Sequence, residues 1–167
     1  MAHQALRRER VRVEAVRPDP SNLRKHDDRQ IELVAASLAR WKQQKPIVID
    51  GAGVVIAGHG VLEAARRLGW THIDAVRSDL AGVERVLYAI ADNRLAELSS
   101  WDDQSLAAVL TELDAADLDT LGFTAEDLAA LTAPPASEGL TDPDDVPAPP
   151  DEATTKPGDL WVLGNHR

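Results

Sequence analysis

Three short stretches bring together residues able to handle phosphate, a hard cation or a proton: Gly58-His59-Gly60, Asp92-Asn93-Arg94 and Asn22-Leu23-Arg24-Lys25. The first follows the β-branched run Val54-Val55-Ile56 and precedes Leu62, Ala65 and Leu68, which recur at helical spacing. A glycine turn there leaves backbone N–H groups at the positive end of a helix dipole, where anions bind, and Gly58 and Gly60 would let a phosphate come close. The same glycines also serve a plain tight corner. Neither common nucleotide motif is present: G-x-G-x-x-G needs glycine where Glu63 stands, and a P-loop needs Gly-Lys-Ser/Thr. His59 can donate to phosphate or exchange a proton near neutral pH, or be a polar turn residue. Glu63 is a candidate general base that orients water, or a carboxylate that merely favours the dipole of a first turn.

In Asp92-Asn93-Arg94, carboxylate and amide oxygens suit Mg²⁺ shared with substrate phosphates, with Asp92 as the second candidate base and Arg94 as a phosphate ligand. The other reading is an exposed helix face with a local Asp/Arg pair. Asn22, Arg24 and Lys25 follow the extended turn Pro18-Asp19-Pro20-Ser21 and can reach phosphate, although arginines are common on any surface.

These stretches need elements to hold them. Residues 11 to 16, VRVEAV, read as a short strand. Asp27 or Asp28 caps a helix whose apolar positions are Ile31, Val34, Ala35, Leu38 and Trp41, and which ends before Pro46. Ile47-Val48-Ile49 and Val54-Val55-Ile56 flank Gly51-Ala52-Gly53 as a hairpin. A short helix through Leu68 closes on Gly69 as a C-cap, and residues 72 to 77 form another strand. Residues 80 to 98 read as a longer helix, and a further one starts near Asp102-Asp103 with Leu106, Val109, Leu110 and Leu113 inside. Gly122 breaks that pattern, and Thr124 with Asp127 caps a last helix through Leu131.

Charge is divided unevenly. Residues 1–94 carry 16 Lys and Arg against 12 Asp and Glu, whereas residues 95–167 carry 2 against 16. The first part can face an anion and the second cannot. With no cysteine there are neither disulfides nor thiolate zinc ligands, and histidines 3, 26, 59, 72 and 166 lack ligand spacing. No apolar run reaches the roughly 18 residues of a membrane span, and no signal peptide opens the chain, so a cytoplasmic protein is expected. From 132 to 157, prolines alternate with acidic residues, as in a disordered, extended linker. The following Gly158-Asp159-Leu160-Trp161-Val162-Leu163-Gly164 reads as a strand opening a second unit, so the chain is expected to be part of a larger protein.

Taken in order, these pieces resemble the ParB N-terminal domain of the ParB/sulfiredoxin superfamily over roughly residues 11 to 100. The resemblance rests on Pro18-Asp19-Pro20-Ser21-Asn22-Leu23-Arg24, on Lys45-Pro46-Ile47-Val48, and on Val55-Ile56-Ala57-Gly58-His59-Gly60 followed by Glu63-Ala64-Ala65-Arg66-Arg67-Leu68-Gly69. It implies a compact α/β (α+β) fold with a small mixed sheet that binds CTP or ATP with Mg²⁺. Gly58, His59 and Gly60 would then hold triphosphate, and Asp92-Asn93 would match the family's Glu-Asn at phosphate and metal. Two positions depart from the pattern: the usual arginine falls at Val61, and another at Ala96, so Arg66 or Arg94 would have to supply the charge for any nucleotide triphosphatase activity. The sulfiredoxin cysteine is absent, which excludes that activity.

Asp92-Asn93-Arg94-Leu95-Ala96, Trp101-Asp102, Leu121-Gly122-Phe123 and the stretch from Lys156 to Arg167 further resemble the front end of phage and prophage DNA methyltransferases. That resemblance implies a ParB-like domain over 1–98, an acidic helical extension over 99–131, a linker over 132–157 and the start of a methylase domain from 158, with SAM bound only by the latter. The implied partners are a nucleotide, a second copy of the chain, and DNA held weakly and non-specifically through residues 7 to 25. A helix-turn-helix reader is not expected, because residues 99 to 131 are acidic where such a reader is basic. The competing readings are a nucleotide-dependent CTPase, kinase or nuclease of the same fold, and a protein–protein adaptor.

Overall fold

The computed structural model describes residues 6–133 and 157–159. The described residues 6–133 form one compact unit. Its sheet has four strands, β1 (Arg8–Arg12), β2 (Ile47–Ile49), β3 (Val55–Ala57) and β4 (His72–Arg77), in the order β1-β4-β2-β3. β4 pairs antiparallel with β1 and parallel with β2, and β2 pairs antiparallel with β3, so the sheet is mixed as expected.

The first strand lies three residues earlier than the 11–16 expected from sequence. The ladder to β4 ends where Arg12 faces His72, so Val13–Ala15 turn into a 3-10 helix instead, with Val13 N–H donating to Thr71 and Val16 N–H to Val13. That turn buries Val13 and Val16 in the core and delivers Arg17 to a bridge with Val54. At the hairpin, Asp50 Oδ1 accepts the N–H groups of Ala52 and Val54 at 2.9 and 2.8 Å, which holds the tight connection between β2 and β3.

Helix α1 (Asp28–Trp41) is capped by Asp27, whose carboxylate accepts from Gln30 N–H at 2.7 Å, and buries Ile31 and Leu38. Helix α2 (His59–Arg67) sits between α1 and the sheet. Leu62 and Ala65 face the sheet core of Ile47, Ile49, Val55, Ile73 and Ala75, whereas Ala64 meets Ile31 and Leu38 of α1. It ends in a Schellman motif: Gly69 N–H donates to Arg66 and Trp70 N–H to Ala65, with Gly69 at φ 69°. The expected C-cap glycine is therefore in place.

Helix α3 (Gly82–Glu97) buries no residue, and Val83, Leu87, Ile90 and Leu95 all stand exposed. Beyond it, where one further helix was expected between Asp102-Asp103 and the break at Gly122, there are two. α4 (Asp103–Thr111) buries Ala107 and Leu110 and stops short of Leu113. Asp114 then caps a new helix, α5 (Ala115–Leu121), which sequence periodicity missed because it is only seven residues long. Gly122 ends α5 at φ 83°, and the Thr124–Asp127 capping box opens α6 (Ala125–Thr132) as expected. An ion pair between Arg40 of α1 and Asp117 of α5, with Leu33 packed against Gly122, ties this helical unit to the body. Among the described residues no helix is long and apolar enough to cross a membrane. The linker expected from 132 begins later than that, since Thr132 closes α6 and Ala133 is its C-cap; the rest of the expected linker and second unit lies outside the described residues except for Pro157–Asp159.

Candidate functional site

The corner between β3 and α2 is built from two different requirements. Gly58 adopts φ 94°, and a Cβ placed on it would lie 2.7 Å from Ile47 Cγ2, so glycine is demanded there by backbone and packing. Gly60 is buried in the first turn of α2 with ordinary dihedrals, and its Cβ would meet only the His26 ring, at 3.4 Å. No side chain caps this turn, whereas Asp27, Asp102, Asp114 and Thr124 cap the helices they precede. The leading N–H groups of α2 are thus left for solvent or an anion.

The segment between Arg17 and Asp27 wraps this corner. Near one end, Asp19 N–H donates to His59 Nε2 at 3.3 Å; near the other, His26 Nδ1 donates to Gln30 Oε1 at 2.8 Å while its ring covers Gly60. Because Nε2 accepts, the His59 proton resides on Nδ1. Burial lowers the His59 pKa below its ordinary value, reinforced by His26 and Arg85 and opposed by the Asp19 charge. Asp19 is itself desolvated, which alone would raise its pKa. Hydrogen bonds from Ser21 and the Arg85 charge outweigh this and hold its carboxyl below the usual range.

Arg85 of α3 was not singled out from sequence. Its Nη2 lies 2.7 Å from Asp19 Oδ2 and its Nε 3.8 Å from Asp50 Oδ2, so His59, Asp19, Arg85 and Asp50 form one contiguous polar chain. The Nε atom is buried with no hydrogen-bond partner among the described residues, a donor that a ligand oxygen would satisfy. The usable sequence signal is spacing: Arg85, Ala89 and Asn93 are four residues apart, share one face of α3 and are all partly buried.

The middle of the same segment faces α3. Asn22, Leu23 and Arg24 line a cavity of about 300 Å³ with Ile90, Asn93 and Arg94. Asn22 braces the turn through Arg24, accepting from its N–H and donating to its carbonyl. Arg24 and Arg94, the latter at 3.1 Å, converge on the carboxylate of Glu97, whose pKa the two guanidinium groups lower. Guanidinium groups that meet on a carboxylate can bind a phosphate oxygen by the same charge-assisted hydrogen bonds.

The structure thus gathers Gly58, His59 and Gly60 at the helix corner and Asn22, Arg24, Asn93 and Arg94 at the adjoining cavity. It separates the rest. Arg66 projects from the far end of α2, donates to the Val16 carbonyl at 2.9 Å, and lines a different cavity with Arg12 and Trp70. Seven residues along α2 from His59, it cannot replace the arginine missing at Val61. Glu63 is half exposed and lies 4.0 Å from Arg67, turned to solvent rather than into the corner. Asp92 and Asn93 diverge, as helix neighbours must: Asp92 is exposed beside Tyr88, while Asn93 donates to the Ala89 carbonyl at 2.8 Å. A shared Asp92–Asn93 metal site is therefore not preassembled. Among the described residues, no group of three or more His, Asp or Glu side chains could hold a metal ion.

Comparison with known proteins adds three findings. Residues 104–157 match the family model described as the ParB-methyltransferase HTH domain. The chain is similar to the structure of C-terminally truncated chromosome-partitioning protein ParB from Caulobacter crescentus complexed with CTP-gamma-S, at 18% identity and TM-score 0.56, over 74% of this chain and 69% of that one. It is also similar, at TM-score 0.47 and 20% identity over 62% of this chain and 42% of the other, to a Pnob8-like ParB-N domain. No protein of curated function matches.

The helix-turn-helix match overturns the expectation drawn from acidity. Net charge speaks to partners and not to fold; α4 to α6 are set by their caps and by Ala107 and Leu110, with eight carboxylates and no lysine or arginine over residues 99–133. The match also extends across the segment read as a linker.

Proposed function

Starting from a ParB-like fold, with a ParB-methyltransferase HTH match on the helices that follow, we propose that this chain is a nucleotide-binding, DNA-associated module that positions a DNA-modifying methylase domain. The observation that carries the nucleotide part is the Arg17–Asp27 segment, which closes over the uncapped N-terminus of α2 and brings Asn22 and Arg24 to Asn93 and Arg94 of α3. The bound CTP analogue of the Caulobacter protein makes CTP the first nucleotide to test, with ATP the second. The phosphates would take the helix N–H groups at His59 and Gly60 and the Arg85 Nε, and displace Glu97 from Arg24 and Arg94. Mg²⁺ would arrive with the phosphates, which supply most of its ligands, and needs at most one or two protein oxygens. SAM belongs to the methylase domain. The exposed apolar side chains of α3 would pair two copies.

A binding module is favoured over an enzyme because no base stands ready: His59 Nε2 is occupied by the Asp19 N–H, Glu63 faces solvent and Asp92 lies away from the cavity. The test is calorimetric titration with CTP and ATP, with and without Mg²⁺, followed by turnover and light scattering on the same samples. Saturable binding without turnover is expected, weakened at least tenfold by Arg24→Gln and by Gly60→Ala, which the fold tolerates. Absence of binding by either nucleotide would defeat the reading, and multiple turnover would replace it with the enzyme. Light scattering should show a dimer that Leu87→Asp dissociates.

A further inference from the structure

We infer that the open face of β1 binds the phosphodiester backbone of DNA without regard to sequence. This rests on the DNA-associated half of the reading above and is independent of the nucleotide half.

β1 is an edge strand whose register with β4 sets opposite pairs on common faces: Arg8 faces Val76, Arg10 faces Asp74 and Arg12 faces His72, whereas Glu9 and Val11 face Ala75 and Ile73 on the core side. The three arginines are exposed. They recur every second residue, about 7 Å apart along an antiparallel strand, a separation close to that of successive phosphates on one nucleic-acid strand. Two cavities, of about 660 and 530 Å³, flank Gly69–His72 beside the strand, the first reached by Arg12 and Arg66 and the second by Arg10 and Lys42.

The charges on this face are not consumed by the fold. Arg8 and Arg12 meet Asp74 and Glu14 in exposed pairs, which contribute little and exchange readily. Arg66 and Lys42 donate only to backbone carbonyls, and Arg10 has no ion pair among the described residues. Lys42 is the C-cap of α1, at φ 62° and ψ −174°, a conformation ordinarily left to glycine. Guarding an edge strand requires charge of either sign; here Arg8, Arg10, Arg12, Lys42 and Arg66 outnumber the two acids beside them, Asp74 and Glu14, so the face keeps a net positive charge that a polyanion would neutralise. Trp70, the indole lining both cavities, packs half-buried against the core, so its ring is not free to stack on a base. A membrane would call for exposed apolar side chains among the cations, and the exposed side chains of β1 are all arginine.

The test uses the whole chain and fluorescence anisotropy with a labelled duplex of arbitrary sequence, titrated between about 50 and 200 mM salt. Arg10→Gln with Lys42→Gln should weaken binding at least tenfold at the low-salt end and reduce the log–log salt slope by about two. Arg29→Gln with Arg67→Gln, both outside residues 7 to 25, changes the net charge equally and should leave both nearly unchanged. The inference is overturned if the first double variant, melting like the parent, binds as tightly, or if the control loses as much. Loss of binding to anionic vesicles or polyaspartate with DNA binding intact also overturns it. If the parent itself binds no duplex near 50 mM salt, the DNA-associated reading falls too, while nucleotide titration of the same samples judges the other half separately.

Discussion

Replacing Gly58 by alanine separates the two meanings of the β3–α2 corner. The left-handed backbone at φ 94° disfavours any residue with a Cβ by about 1–2 kcal/mol. The new methyl would then lie 2.7 Å from Ile47 Cγ2, 3.2 Å from its Cβ and 3.4 Å from its Cα, and Ile47, 1% exposed at the centre of the sheet core, has nowhere to retreat. Overpacking of this kind adds about 1–3 kcal/mol, giving a total near 3 kcal/mol. For a domain of this size that corresponds to a fall in Tm of roughly 10 °C. Urea unfolding at constant m-value measures it directly. In an Ile47→Ala background the clash disappears and only the backbone part, about 1–2 kcal/mol, should persist. By contrast Gly60→Ala should change stability by no more than about 0.5 kcal/mol, because its methyl meets the His26 ring at an ordinary 3.4 Å and alanine suits a helix. A Gly58→Ala penalty below about 1 kcal/mol, or one indifferent to Ile47→Ala, would refute the packing argument.

Removing Arg85 should expose the opposite economy of charge. Arg85→Met leaves the Asp19 and Asp50 carboxylates, about four-fifths buried, without their shared cation, and should lower stability by about 2–3 kcal/mol at neutral pH; adding Asp19→Asn should recover part of it in a double-mutant cycle, and additive effects would contradict the contact. The depressed His59 pKa makes the folded state bind fewer protons than the unfolded chain. Its contribution is therefore complete above the ordinary value of 6.5 and is lost as pH falls through the lower folded value. The urea midpoint should drop between about pH 7.5 and 5, and His59→Gln should flatten that dependence; an unchanged slope would place the titration elsewhere. Asp19, also depressed, should add a second loss below its ordinary 3.8.

Much of the local structure was legible because it is written in local chemistry. Caps at Asp27, Asp102 and Thr124, the Gly69 terminus and the Gly51–Gly53 hairpin each satisfy backbone groups within a few residues, so residue type suffices to place them. The first strand was misplaced because RERVR alternates arginines with a half-buried glutamate and valine, and only pairing with β4 makes it a strand. α5 was missed because seven residues do not establish a period.

The candidate site divides along the same line. The sequence by itself determined that Gly58, His59 and Gly60 stand at a strand-to-helix corner, that Asn22 and Arg24 follow an extended turn, and that Asn93 and Arg94 lie on a helix. It determined the charge split as well. Only the tertiary structure decided which of these residues meet. The Arg17–Asp27 segment folds over α2 and joins Asn22 and Arg24 to α3, while Arg66, Glu63 and Asp92 point elsewhere and Arg85 enters unannounced. The physical reason is that capping and helix spacing are settled by neighbours in the chain, whereas the meeting of side chains forty to seventy residues apart depends on how the sheet orders β1-β4-β2-β3 and on which way each helix turns its faces against it.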